Sequence, residues 1–156
     1  MNKIILFGLI LGLISVSACV RNDSTGITIT PTDKPFIEKI TPDKNYLSSG
    51  QTMNFDVSVT NPTQVNYKGL VLIQADTPNC FNMLQYIDIG QTQNVLGVTK
   101  DIEVSSGTTH SVLVPINITS SAQDTCFQPS RHKLNVFILQ NGVVFDSKLI
   151  EIDLFK

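Results

Sequence analysis

The chain has 156 residues, 42% of them apolar and 15% charged, with a formal net charge of −2. That length allows one domain plus an extension. The charge balance excludes a basic stripe for nucleic acid and an acidic solvating tail, and with Trp absent and Val, Ile, Thr, Asn and Ser recurring throughout, the composition leans towards strands and turns.

Residues 1–18 read as a signal peptide. Lys3 supplies a positive start, Ile4 to Ile14 is an apolar run, and Ser15-Val16-Ser17-Ala18 is a small-residue exit. The run is shorter than the roughly 20 apolar residues a membrane span needs; the alternative is a short N-terminal anchor helix over Met1 to Val20. "VSAC" then resembles the lipobox of prokaryotic lipoproteins: an aliphatic Val16, small Ser17 and Ala18, and Cys19. The resemblance implies that the Cys19 thiol is acylated and that Cys19 becomes the mature N-terminus, anchored on the exported side of a cell membrane or outer membrane. In a diderm host, the absence of Asp at Val20 resembles outer-membrane sorting. Two or more long chains make such anchoring stable, at about 0.8 kcal/mol per buried CH₂. Residues 19–34 continue as a polar, Thr-rich flexible tether ("VRNDSTGITITPTDK" after the cysteine). Fifteen such residues reach at most about 50 Å.

From Pro35 the pattern turns to strands. "PFIEKITP" is a first strand and "SSGQ" a turn. Met53, Phe55, Val57 and Val59 then alternate with Asn54, Asp56, Ser58 and Thr60, the signature of a strand with one buried face. "NPTQVN" is a turn started by Asn61 and Pro62. "YKGLVLIQA" is a strand apolar on both faces. Residues 81–100 fit a strand, a helical turn or a flap. Ile102 to Val104 is a strand, Gly107 a turn, and the next strand points Val112, Val114, Ile116 and Ile118 inward. Pro115, on the outward phase, places that strand at a sheet edge. Asn141-Gly142 joins "KLNVFILQ" to "VVFDSKLIEIDLF" as a type I′ hairpin. The apolar phase shifts from Val143 and Phe145 to Ile150, Ile152 and Leu154, which places a bulge near Ser147 to Leu149.

Some seven short strands separated by turns make an all-β, two-sheet antiparallel sandwich over residues 35–156. "GQTMNFDVSVTNPTQVNYKGLVLI", "IEVSSGTTHSVLVPINI" and the closing hairpin resemble the immunoglobulin-like cell-adhesion-related domains of bacterial and archaeal surface proteins. The resemblance implies a binding or structural module for a protein or glycan partner.

With Cys19 acylated, Cys80 and Cys126 remain as an even pair in an exported protein, and a disulfide is expected. Two buried free thiols or a metal pair are the alternatives. In an up-and-down alternation both cysteines fall at one pole; two extra strands in 81–100 would keep that parity and one would break it.

No catalytic constellation appears, so no enzyme activity and no cofactor are expected. His110 and His132 lack ligand spacing, provide no metal site, and read as surface or rim histidines. No phosphate loop, GxSxG or HExxH occurs. "NPT" at 61–63 resembles the first inhibitory loop of chagasin-type cysteine protease inhibitors, but the Trp of their third loop is missing. If the outward faces of "YKGLVLIQ" and "KLNVFILQ" adjoin, Leu70, Leu72, Phe137 and Leu139 form an apolar interaction patch; alternatively residues 81–100 fold back over it. Asn117-Ile118-Thr119 is a glycosylation sequon on an outward phase, and Asn22-Asp23-Ser24 is another. The reading is a lipid-anchored envelope module with no nucleic-acid partner. A small-ligand or metal-binding lipoprotein using the cysteine pole, or a protease inhibitor, are the alternatives.

Overall fold

A computed structural model describes residues 33–83, 85–88, 94–119, 124–128 and 131–155. Contacts divide the chain at Thr30/Pro31, and every described residue belongs to the second unit. Cys19, the signal segment and most of the tether lie outside the described residues.

Nine strands occur among the described residues: β1 Phe36–Pro42, β2 Tyr46–Ser48, β3 Thr52–Asn61, β4 Tyr67–Ala75, β5 Gln85–Asp88, β6 Asn94–Val104, β7 Thr108–Asn117, β8 Arg131–Gln140 and β9 Val143–Phe155. They form a three-stranded sheet, β1-β3-β7, and a six-stranded sheet, β2-β9-β8-β4-β6-β5. The order matches the A-B-E and G-F-C-C′ sheets of an immunoglobulin-like sandwich. All pairs are antiparallel except β2 with β9, which runs parallel.

The core follows from the period-2 pattern. Met53, Phe55, Val57 and Val59 on β3 are fully buried. They pack in one cluster with Val71 and Ile73 of β4, Val114 and Ile116 of β7, and Val136 and Ile138 of β8. Pro115 is exposed on β7, an edge strand. Asn141 and Gly142 take φ of 51° and 76°, the left-handed pair that a type I′ turn requires.

Three expectations need correction. The bulge in β9 lies at Phe145, before the expected Ser147–Leu149, because Leu139 pairs with Val144 and Ile138 with Asp146. The Phe145 ring takes the inward place against Tyr67, with centroids 5.6 Å apart. Asp146 and Lys148 then reach the start of β1. The Ile37 N–H donates to the Asp146 carboxylate at 2.8 Å, and Lys148 Nζ donates to the Glu38 carbonyl at 2.9 Å. This clasps β1 where its own register shifts, between Ile37 and Lys39. The strand parity also fails. Among the described residues only β5 is added between β4 and β6, yet the cysteines meet. β5 pairs only with the N-terminal end of β6, beyond the last β4–β6 pair at Ile73 and Val98. The chain therefore doubles back between Ala75 and Gln85, with Phe81 bridging to Ile118. The third correction concerns His132, described with the cysteine pole below.

Candidate functional site

The outward face of the six-stranded sheet is built from alternate residues of β6, β4, β8 and β9. Leu70 pairs with Leu139 and Leu72 with Phe137, so β4 and β8 bring the four expected patch residues together. They are not an open patch, however. Leu72 is 0% and Leu139 1% exposed, with Leu70 and Phe137 half-buried against them, a second small core. Leu72 Cδ1 lies over Gly97 of β6, where a Cβ would collide with it.

The open surface lies one row further along, towards the Asn141-Gly142 turn. A groove of about 700 Å³ is lined by Lys68 to Leu70, Asp101 to Glu103 and Leu139 to Gly142. Register explains its make-up. Lys68 stands opposite Glu103, and Leu70 lies between Asp101 and Leu139. The apolar part of its floor is therefore Leu70, half-buried beside the buried Leu139, while β6 contributes two carboxylates and the turn the Asn141 amide. Lys68 Nζ sits 2.9 Å from Glu103 Oε1, with both side chains more than half exposed. Among the described residues, no cation lies within ion-pair reach of Asp101. Beside the floor, Gly69 admits the Tyr67 side chain, whose hydroxyl donates to the Leu139 carbonyl at 3.0 Å. A Cβ at Gly69 would collide with that hydroxyl and that carbonyl.

The opposite pole holds the Cys80–Cys126 disulfide, whose Cα atoms are 5.5 Å apart. His132 is not a surface or rim residue: it is 2% exposed and pins this pole. Its Nε2 lies 2.7 Å from the Cys126 carbonyl and must donate to it. In the neutral ring Nδ1 then accepts from the Thr77 hydroxyl, 2.6 Å away. Phe81 meets the ring edge-on at 5.8 Å. Outside this clasp lies a second cavity, about 630 Å³, lined by Asp76 to Cys80, Thr125 and Cys126. His110 is exposed. Among the described residues, no three His, Cys, Asp or Glu side chains could hold a metal ion.

The loop at Asn61 to Thr63 is turned inward. Asn61 is fully buried. Its amide donates to the Val65 and Val104 carbonyls, and its Oδ1 accepts from the Thr63 N–H and hydroxyl. Asn117 is exposed, and its Oδ1 accepts from the Thr52 hydroxyl at 2.6 Å.

No family model matches the chain, and no curated protein matches it in sequence. Solved structures do match in fold. A domain of the alkylpurine DNA glycosylase AlkC of Pseudomonas fluorescens, solved bound to DNA containing an abasic site analog, superposes with a TM-score of 0.51 at 15% identity, covering 79% of this chain and 31% of that one. A glycosyl hydrolase family 2 member from Bacteroides cellulosilyticus gives 0.51 at 12% identity, over 76% of this chain and 14% of that one. A FixG-related protein from Vibrio parahaemolyticus gives 0.50 at 12% identity, over 80% of this chain and 98% of that one. This chain thus spans a third or less of the first two and nearly all of the third. At these identities the likeness shows the sandwich and not the function.

Sequence reasoning found the four leucine and phenylalanine positions and missed the groove beside them. The signal was present: "KDIEV" puts Asp101 and Glu103 on one strand face. It became readable only once β6 was known to lie against β4.

Proposed function

We propose that this protein is a lipid-anchored module of the cell envelope that acts by binding a glycan, without catalysis, in the groove beside the Asn141-Gly142 turn. The observation that carries this reading is the groove's composition. A pyranose offers an apolar C–H face and an edge of hydroxyls. Leu70, half-buried beside the buried Leu139, gives the apolar spot such a face needs, and Asp101, Glu103 and Asn141 give the acceptors and donors such an edge needs. The sandwich fold, shared with a domain of a glycosyl hydrolase, is compatible with this role. The anchor rests on the lipobox-like "VSAC" at Cys19. Among the described residues no helix is long and apolar enough to cross a membrane.

Two measurements test the proposal. Fractionating cells that carry wild type or Cys19→Ala should leave the wild type in the membrane and release the variant; equal retention removes the anchor. Oligosaccharide binding by the detergent-solubilised full chain should fall at least about tenfold in Leu70→Asp, which places a charge on the apolar floor. Unchanged binding in a folded variant removes the groove. The cavity at the disulfide pole supports a second reading, a small-ligand lipoprotein. A ligand whose binding is lost in Asn79→Ala and retained in Leu70→Asp would favour it.

A further inference from the structure

The groove's charges narrow the ligand. We infer that the glycan it takes carries a free amine, and that Asp101 is the subsite for the ammonium; this rests on the glycan reading above. The rim holds one ammonium, Lys68, and two carboxylates, Asp101 and Glu103. Lys68 is already committed to Glu103 at 2.9 Å. Asp101, exposed and two residues along the same face of β6, is about 7 Å further down the strand. Among the described residues it has no ion-pair partner, so the groove keeps one uncompensated negative charge.

That charge sits beside Leu70, since Asp101 pairs directly with it. A ligand lying on the floor brings one edge against Asp101 and the other against Asn141 of the hairpin. An amino sugar fits this order of groups. Its ring covers Leu70, its ammonium forms a charge-assisted hydrogen bond with Asp101, and its hydroxyls face the Asn141 amide. An anionic sugar would meet the same carboxylate unpaired, with like-charge repulsion and nothing to offset its desolvation. A neutral N-acetylated sugar loses the charge-assisted bond and adds an acetyl group where the carboxylate stands.

The test compares fully deacetylated chitosan oligomers with N-acetylated chitin oligomers of the same length. The full chain is detergent-solubilised and assayed at about pH 6, where the sugar amine is largely protonated. The wild type should bind the deacetylated oligomer roughly tenfold more tightly, the ratio a charge-assisted bond supplies over a neutral one. Asp101→Asn, an exposed and nearly isosteric change, should abolish the preference and leave the weaker binding of the acetylated oligomer. Lys68→Gln, which frees Glu103, should keep or increase it. Equal or tighter binding of the acetylated oligomer overturns the amine inference and leaves the glycan reading standing, as does a preference that survives in Asp101→Asn. Binding of neither oligomer by a folded wild type overturns the amine inference. If no other glycan binds either, the glycan reading falls with it. If a lysine-rich peptide alone binds, and does so through Asp101, the site belongs to peptides and the inference is wrong.

Discussion

Tyr67 shows how much one side chain can tie together. Its ring packs on Phe145, the residue that makes the β9 bulge, and its hydroxyl crosses Gly69 to the Leu139 carbonyl. Burial pushes its phenol up to about 12 from an ordinary value of 10.0. A raised value means that folding favours the protonated form. The associated stability is fully present below about pH 10 and is lost as the pH rises through about 12. Urea unfolding at a series of alkaline pH values should therefore show stability falling across that window in the wild type. Tyr67→Phe should cost about 1 kcal/mol at neutral pH, for the lost hydrogen bond, and should flatten the alkaline fall. An equal alkaline slope in both proteins would show that another group titrates there. Asn61 makes a related point about what a sequence discloses. Its role in starting a turn is local chemistry and is legible in "NPT". Its burial is not legible, because the Val104 carbonyl that needs its amide lies 43 residues away.

Among the elements, the cysteine pole is where legibility stops and starts again. The pairing of Cys80 with Cys126 follows from counting. The path that lets them meet does not, because the short β5 and the doubled-back chain before it depend on where β6 ends against β4. His132 is the first inward residue of β8, in phase with the buried Leu134, Val136 and Ile138, and the strand's period could have marked it. Its two partners, Thr77 and Cys126, come from separate loops that the disulfide joins. The bridge joins cysteines 46 residues apart. On a chain-entropy account its loss costs about 4 kcal/mol. His132→Ala leaves the Cys126 carbonyl without its donor and opens a small void, a cost of about 3 kcal/mol. Because both act on the same loops, the two losses should overlap. Guanidinium unfolding of the wild type and His132→Ala, each with the bridge intact or reduced, should give a double loss at least 1 kcal/mol smaller than the sum. Strict additivity would mean that the histidine does not act through the bridged loops.

At the scale of the whole molecule, two sheets leave four edges, and each edge strand carries a defence against pairing with another chain. β2 has three residues and β5 four, too short to template a partner. β1 shifts register at its start and is held there by Asp146 and Lys148. β7 is the exception in length, with ten residues, and its other neighbour is β3 alone. Its defence is Pro115. The sandwich class, the inward faces and this edge were all legible because hydrophobic period and proline chemistry are local. The sheet order and the groove were not, since they depend on which strands become neighbours. Pro115 pairs opposite Asn54, and its ring nitrogen can offer no donor to an incoming strand. Pro115→Val restores that donor and raises strand propensity on the one long edge, beside the exposed Leu113. The variant should unfold within about 1 kcal/mol of the wild type, because the site is exposed and the β3 pairing is retained. Its sedimentation should nevertheless show dimers and larger species at concentrations where the wild type is monomeric. A variant that stays monomeric across the same range would show that this edge is protected by something other than the proline.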